Sequence, residues 1–196
     1  MLLKNMLHNN TQMTYEFYTD GSLINRGATN DLETKMGAAW IQTQGLSPNS
    51  HFCTGAQDWP SSCKAEATAI ITAILTIPRN NKAIIYTDSQ NCIDIFEKIS
   101  KTDPKLTCRR WLKIKNWSIW HNILDLIHKK EIQLHLKKVK AHSNNIYNEK
   151  VNQLAKEATQ LPAITWNNTS TKHINAIPTW HNKVIDIAPR DFIKKL

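Results

Sequence analysis

Apolar and polar positions divide this chain of 196 residues into a readable series of elements. Tyr15–Thr19 and Gly37–Ile41 are short runs rich in aromatic and branched residues, the pattern of strands. Gly45, Pro48 and Asn49 mark a turn ahead of a third strand, His51–Ala56, so the first three strands read as an antiparallel meander. Ser61–Ile77 then switches to helical spacing: Ser61 or Ser62 can cap its start, and Pro78 stops it. Lys82–Thr87 is apolar on both faces, as expected of a central strand covered twice. Helices are predicted over Ser89–Ile99, Cys108–Ile114 and Trp117–Lys130, with Asp103-Pro104 as a break. Ile132, Leu134 and Leu136 alternate with polar residues as a half-buried strand, and a last helix runs from about Tyr147 to Gln160. The order predicts a mixed sheet with helices packed on it. Residues 1–13 read as a disordered arm, 14–160 as one domain, and 161–196 as an irregular tail rich in Pro, Trp, Asn and Thr.

Two of these strands end in the same words. Tyr18-Thr19-Asp20 runs into Gly21-Ser22, a turn signal, and Tyr86-Thr87-Asp88 runs into Ser89, a helix N-cap. An Asp at a strand end is ordinary taken singly. If the two strands are neighbours, however, the carboxylates stand side by side, and like charges at that range call for a cation. Glu66 shares a helical stripe with Ile70, Ala73 and Ile77, which puts a third carboxylate on an apolar face. Two readings of Glu66 stay open: a cation ligand, or a side chain reaching partial exposure at the helix edge.

Charge narrows the partner. The net charge is +9, and ten basic residues fall between Lys105 and Lys140 against only Asp125 and Glu131. A solvated face would explain them, but a basic patch beside clustered acids favours a polyanion, with nucleic acid foremost. Cys53, Cys63, Cys92 and Cys108 lack metal-ligand spacing and read as reduced thiols of an intracellular protein. No apolar run spans a membrane, and Met1–Leu7 is too short and interrupted for a signal peptide. No Ser–His–Asp set, Cys nucleophile or Gly-rich phosphate loop is indicated.

From about Met13 to Gln160 the chain resembles ribonuclease H of the cellular type. Four blocks carry the resemblance, in order: Thr19-Asp20-Gly21-Ser22; Ser62-Cys63-Lys64-Ala65-Glu66; Tyr86-Thr87-Asp88-Ser89; and His142 followed by Asn148-Glu149. No block is specific alone; four in sequence on the expected elements are. The resemblance implies a ribonuclease H-like α/β fold: a five-stranded mixed sheet, three strands antiparallel and two parallel, with helices on both faces. It implies endonucleolytic cleavage of the RNA strand of RNA–DNA hybrids, with Asp20, Glu66 and Asp88 holding two Mg²⁺ ions and Mn²⁺ able to substitute. His142 falls on a loop histidine that assists proton transfer or product release. Gly21, Ser22, Ser62, Cys63, Ser89 and Asn148 fall at hybrid contacts, and Arg109, Arg110 and Lys113 in the place of a basic protrusion. The expected partner is the hybrid, bound by a monomer without a membrane or a small-molecule cofactor.

The chemistry supports the ion assignment separately. Phosphodiester hydrolysis needs an activated water, a stabilised transition state and a neutralised leaving oxyanion, which two metals about 3.5–4 Å apart can supply. Mg²⁺ needs only a few oxygen ligands. Three departures from the family pattern stand out. Asn152 occupies the position of a fourth carboxylate, as a neutral candidate ligand. Cys63 replaces a polar residue, and Leu23–Ala28 differs from the commoner Gly-Pro-rich loop. Asn152 motivates the alternative of a catalytically silent hybrid-binding or structural domain from a retroelement protein. A DNA-acting nuclease or integrase of the wider fold is the third reading.

Overall fold

A computed structural model describes residues 12–24, 34–102, 106–140, 145–164 and 177–194. The meander is formed by β1 (Thr14–Ile24), β2 (Lys35–Gln44) and β3 (His51–Ala56), antiparallel in sequence. After α1 (Ser62–Thr76), strand β4 (Lys82–Thr87) pairs parallel with β1. Helices α2 (Gln90–Ser100), α3 (Cys108–Trp111) and α4 (Trp117–Lys130) lead to β5 (Gln133–Lys138), parallel to β4. Helix α5 (Ile146–Ala158) follows. The five expected strands are all present. A sixth, β6 (Ala163–Ile164), adds itself parallel to β3, giving the order β5-β4-β1-β2-β3-β6.

Alternation along β2 explains the layers. Trp40 joins a core cluster with Phe17, Ile70, Ile74, Trp117 and Trp120, whereas its neighbours Ala39 and Ile41 join Val151 and Ala155. Successive side chains point to opposite faces of a strand. Helices α1 and α5 therefore cover opposite faces of the sheet, as expected. Helix α5 packs over β1 and β2, so Ile84 and Tyr86 of β4 are only half-buried while Ala83, Ile85 and Thr87 are buried. The double covering expected of β4 is thus incomplete.

Three local expectations need correction. Strand β1 does not turn at Gly21-Ser22; it continues to Ile24, pairing Gly21 with Ala38 and Ser22 with Gly37. The glycine serves close packing instead. A Cβ on Gly21 would lie 2.2 Å from the Glu66 backbone nitrogen, so only hydrogen lets α1 sit on this strand. Second, α3 ends at Trp111 rather than Ile114. There the bonds tighten to three-residue spacing, Lys113 N–H to Arg110 O and Ile114 N–H to Trp111 O, and Asn116 enters α4 at φ 58°. Third, α1 is buried from Cys63 to Ile74, not along one stripe, because α2 and α4 cover its back.

Past Gln160, where periodicity indicates no element, the structure has short ones. Strands β7 (Thr179–Trp180) and β8 (Lys183–Val184) form a hairpin turning through His181 and Asn182, both at positive φ, and α6 (Pro189–Ile193) follows. Two-residue strands are too short to show a period. Among the described residues no helix is long and apolar enough to cross a membrane, and all four cysteines are free.

Candidate active site

Parallel pairing of β1 with β4 sets Tyr18 opposite Tyr86, their rings stacked with centroids 4.7 Å apart. Two residues further on stand Asp20, within β1, and Asp88, just past the end of β4. Glu66, in the second turn of α1, is brought to them by the close packing at Gly21. Asp20, Glu66 and Asp88 each offer a carboxylate oxygen within 4.8 Å of the others. Asp20 and Glu66 are buried and Asp88 is half-buried. The partly exposed reading of Glu66 is therefore wrong: it is 6 % exposed. Its burial follows from the all-round covering of α1.

Burial and mutual repulsion dominate the electrostatics. Asp20 is pushed up to about 6, first by burial and then by the charge of Asp88; a bond from the Gly21 backbone and the charge of Lys156 pull the other way. Glu66 is raised well above the ordinary range, again by burial first and then by Asp20 and Asp88. Among the described residues no ion pair engages any of the three. The cluster offers only hard oxygen donors, the ligand type Mg²⁺ and Mn²⁺ take. The residues present fit such ions.

The surroundings contain groups that sequence reasoning missed. Thr87 Oγ1 lies 3.5 Å from Glu66 Oε2 and accepts from the Ser89 backbone N–H at 3.1 Å, tying the end of β4 to the carboxylate. Lys138 donates from Nζ to the Asp88 carbonyl. Lys156, on α5, is near enough to act on Asp20. The repeated Tyr-Thr-Asp words could have flagged Thr87; nothing local marks the lysines.

The remaining expected residues distribute as follows. Gly21 and Ser22 follow Asp20 within β1. Ser62 is exposed and Cys63 buried in the first turn of α1. Ser89 caps α2, accepting from Cys92 N–H. On α5, Asn148 is buried and Asn152 half-buried, one turn before Lys156, while Glu149 is exposed and outside the acidic cluster. Asn145 caps that helix and donates to the Tyr18 hydroxyl at 3.3 Å. Arg109, Arg110 and Lys113 are exposed on α3 and the turn after it. His142 lies outside the described residues, as do Lys105 and 25–33, which include most of the atypical loop.

Not every lysine of the basic stretch is available to a partner. Lys130 donates to the carbonyls of Ile74, Leu75 and Ile77 at 3.3, 2.7 and 2.8 Å, closing the end of α1. Lys137 sits over the Tyr86 ring, 5.8 Å from its centroid.

Comparison with known proteins agrees with this geometry. The RNase H family model matches residues 12–160. The chain is similar to a ribonuclease H from Chlorobium luteolum, 28 % identical over 102 residues, which span 50 % of this chain and 67 % of that protein. With that match running from the first strand past the end of α5, the chain belongs to the RNase H family.

Proposed function

We propose that this protein is an endoribonuclease that hydrolyses the RNA strand of RNA–DNA hybrids at Asp20, Glu66 and Asp88. The observation that carries this reading is the cluster itself: three carboxylates within 4.8 Å, of which the two buried ones, Asp20 and Glu66, are pushed above the ordinary carboxylate range by burial and by their neighbours' charge. Such an arrangement is costly unless it binds cations. Two divalent ions held there would lower the pKa of an attacking water and neutralise charge building on the phosphate and the leaving oxygen. Asp20, at the centre of the sheet on β1, would be one of the residues holding the ions. Glu66 and Asp88 complete the set, and Asn152 is assigned to offer its amide oxygen from α5. Thr87 and Lys138 orient Glu66 and the Asp88 backbone.

Hybrid recognition rests on the basic stretch and on backbone groups near Ser62, Cys63 and Ser89. Base sequence plays little part, because an A-like duplex is read through its shape and 2′-hydroxyls. The test is cleavage of an end-labelled hybrid with Mg²⁺, beside matched duplex DNA and duplex RNA. Cleavage confined to the RNA strand of the hybrid, and abolished in a folded Asp20→Asn variant, is the expected result. Near-parental cleavage by that variant would remove the carboxylate assignment. Asn152 favours one other reading, a silent hybrid-binding domain; binding without cleavage in any divalent ion would establish it.

A further inference from the structure

Asp186 lies beyond the stretch that matches the family, yet it is 3 % exposed and sits where three elements meet. Its Oδ2 is 3.2 Å from Lys64 Nζ and accepts from Ser118 Oγ at 3.0 Å. Its carbonyl accepts from Asn116 N–H at 2.7 Å, and the neighbouring Ile185 carbonyl accepts from Trp117 Nε1 at 3.0 Å. Lys64, itself buried in the first turn of α1, also donates to the Asp58 carbonyl at 2.7 Å. The circuit closes through Asn116, whose Nδ2 donates to Ser61 Oγ at 3.2 Å. That same hydroxyl caps α1 by accepting from Lys64 N–H at 3.1 Å. The start of α1 and the start of α4 are thus bolted together by one carboxylate from the C-terminal segment.

Stability alone is a poor explanation. A buried ion pair gains little over apolar side chains of the same volume, because desolvating both charges offsets their attraction. What it supplies is direction: Oδ2 and the Asp186 carbonyl find these partners in one arrangement only, while Oδ1 is buried without a hydrogen-bond partner among the described residues. The segment held in that arrangement contains Ser62 and Cys63, the two residues directly after the Ser61 cap and one turn before Glu66.

We propose that Asp186 is a positioning residue for the hybrid: through Lys64, Ser118 and Asn116 it holds the first turn of α1 in the orientation that presents exposed Ser62 and the backbone of this turn to the nucleic acid. The inference rests on the reading above that this turn meets the hybrid. It gives the segment after β6 a task in substrate binding, with the chemistry left to the carboxylates.

The test compares the parent with the Lys64→Met/Asp186→Leu double variant, which removes both charges at similar volume. Thermal melting is followed by circular dichroism, hybrid affinity by fluorescence anisotropy in EDTA, and turnover in Mg²⁺ by steady-state kinetics. The expected result is a Tm no lower than the parent's, a Kd and KM raised at least five-fold, and a kcat within two-fold. A folded double variant with the parental Kd overturns the proposal. If the double variant does not fold, Asp186→Glu decides: it keeps the charge but displaces the carboxylate, so weakened binding at parental Tm supports positioning and unchanged binding overturns it. A parent that binds hybrid without cleaving it defeats the nuclease reading, while the affinity ratio still decides the role of Asp186.

Discussion

At the scale of residues, the acidic cluster makes stability depend on pH in an unusual direction. Asp20 has a folded pKa of about 6, above its unfolded value, so the folded chain holds more protons than the unfolded chain between roughly pH 4 and 6. Metal-free protein therefore loses stability as pH rises through that window, and Glu66, shifted the same way, extends the loss upward. The contribution of Asp20 is on the order of 2–3 kcal/mol. Urea denaturation in EDTA at pH 5 and pH 7 should show a lower midpoint at pH 7, and Glu66→Gln should reduce the difference. Millimolar Mg²⁺ at pH 7 should restore the lost stability; a midpoint indifferent to Mg²⁺ would mean the cluster holds no ion. Asn152 bears on the same electrostatics. A fourth carboxylate there would draw ions more strongly into the empty site, so Asn152→Asp should lower the Mg²⁺ concentration for half-maximal cleavage several-fold. The parent should also favour Mn²⁺, which such ligands bind more tightly. Superimposable titrations of the two proteins would place Asn152 outside the ion site.

At the scale of elements, the site depends on how closely α1 lies on β1. Ala65 and Glu66 backbone atoms would stand 2.5 and 2.2 Å from a Cβ at position 21, and backbone cannot swing aside as a side chain can. Gly21→Ala should cost about 2–3 kcal/mol, read as a lower urea midpoint. It should also remove most cleavage even where the chain remains folded, because lifting α1 withdraws Glu66 from Asp20 and Asp88. Unchanged stability would show that the helix can shift freely. Gly37 plays the matching part on the other face, where a Cβ would meet Ala155 O at 2.1 Å under α5. One glycine on each of two paired strands thus seats the two helices that flank the acids.

At the scale of the whole molecule, charge governs association. Ten basic residues lie between Lys105 and Lys140, yet Lys130 is spent on the end of α1 and Lys137 lies over Tyr86. Arg109, Arg110 and Lys113 are exposed on one short stretch and are the better test. Reversing all three to Glu should weaken hybrid binding at least ten-fold at 0.1 M salt and flatten the dependence of log Kd on log salt by about three, each lost phosphate contact removing just under one. The Mg²⁺ requirement for cleavage should stay as in the parent. Binding unchanged by the reversal would make this stretch a solubility surface.

The elements with a sustained period were legible from the amino-acid order alone. His51–Ala56, Lys82–Thr87 and Trp117–Lys130 form as expected to the residue, since local pattern and tertiary burial agree there. Asp20, Glu66 and Asp88 could be singled out for a comparable reason: two repeated strand-end words and one carboxylate on an apolar stripe are costly choices that local structure does not require. Other features depend on partners distant in sequence. Gly21 reads as a turn in isolation, because its actual constraint, the Glu66 backbone, is 45 residues away. Lys130 reads as surface charge until the end of α1 is brought beside it. Asp186 sits in a stretch without periodicity, and only the folded chain brings it to Lys64 and Ser118. Hydrophobic period reports which side of an element is buried; what lies against that side is set by the packing of the whole chain.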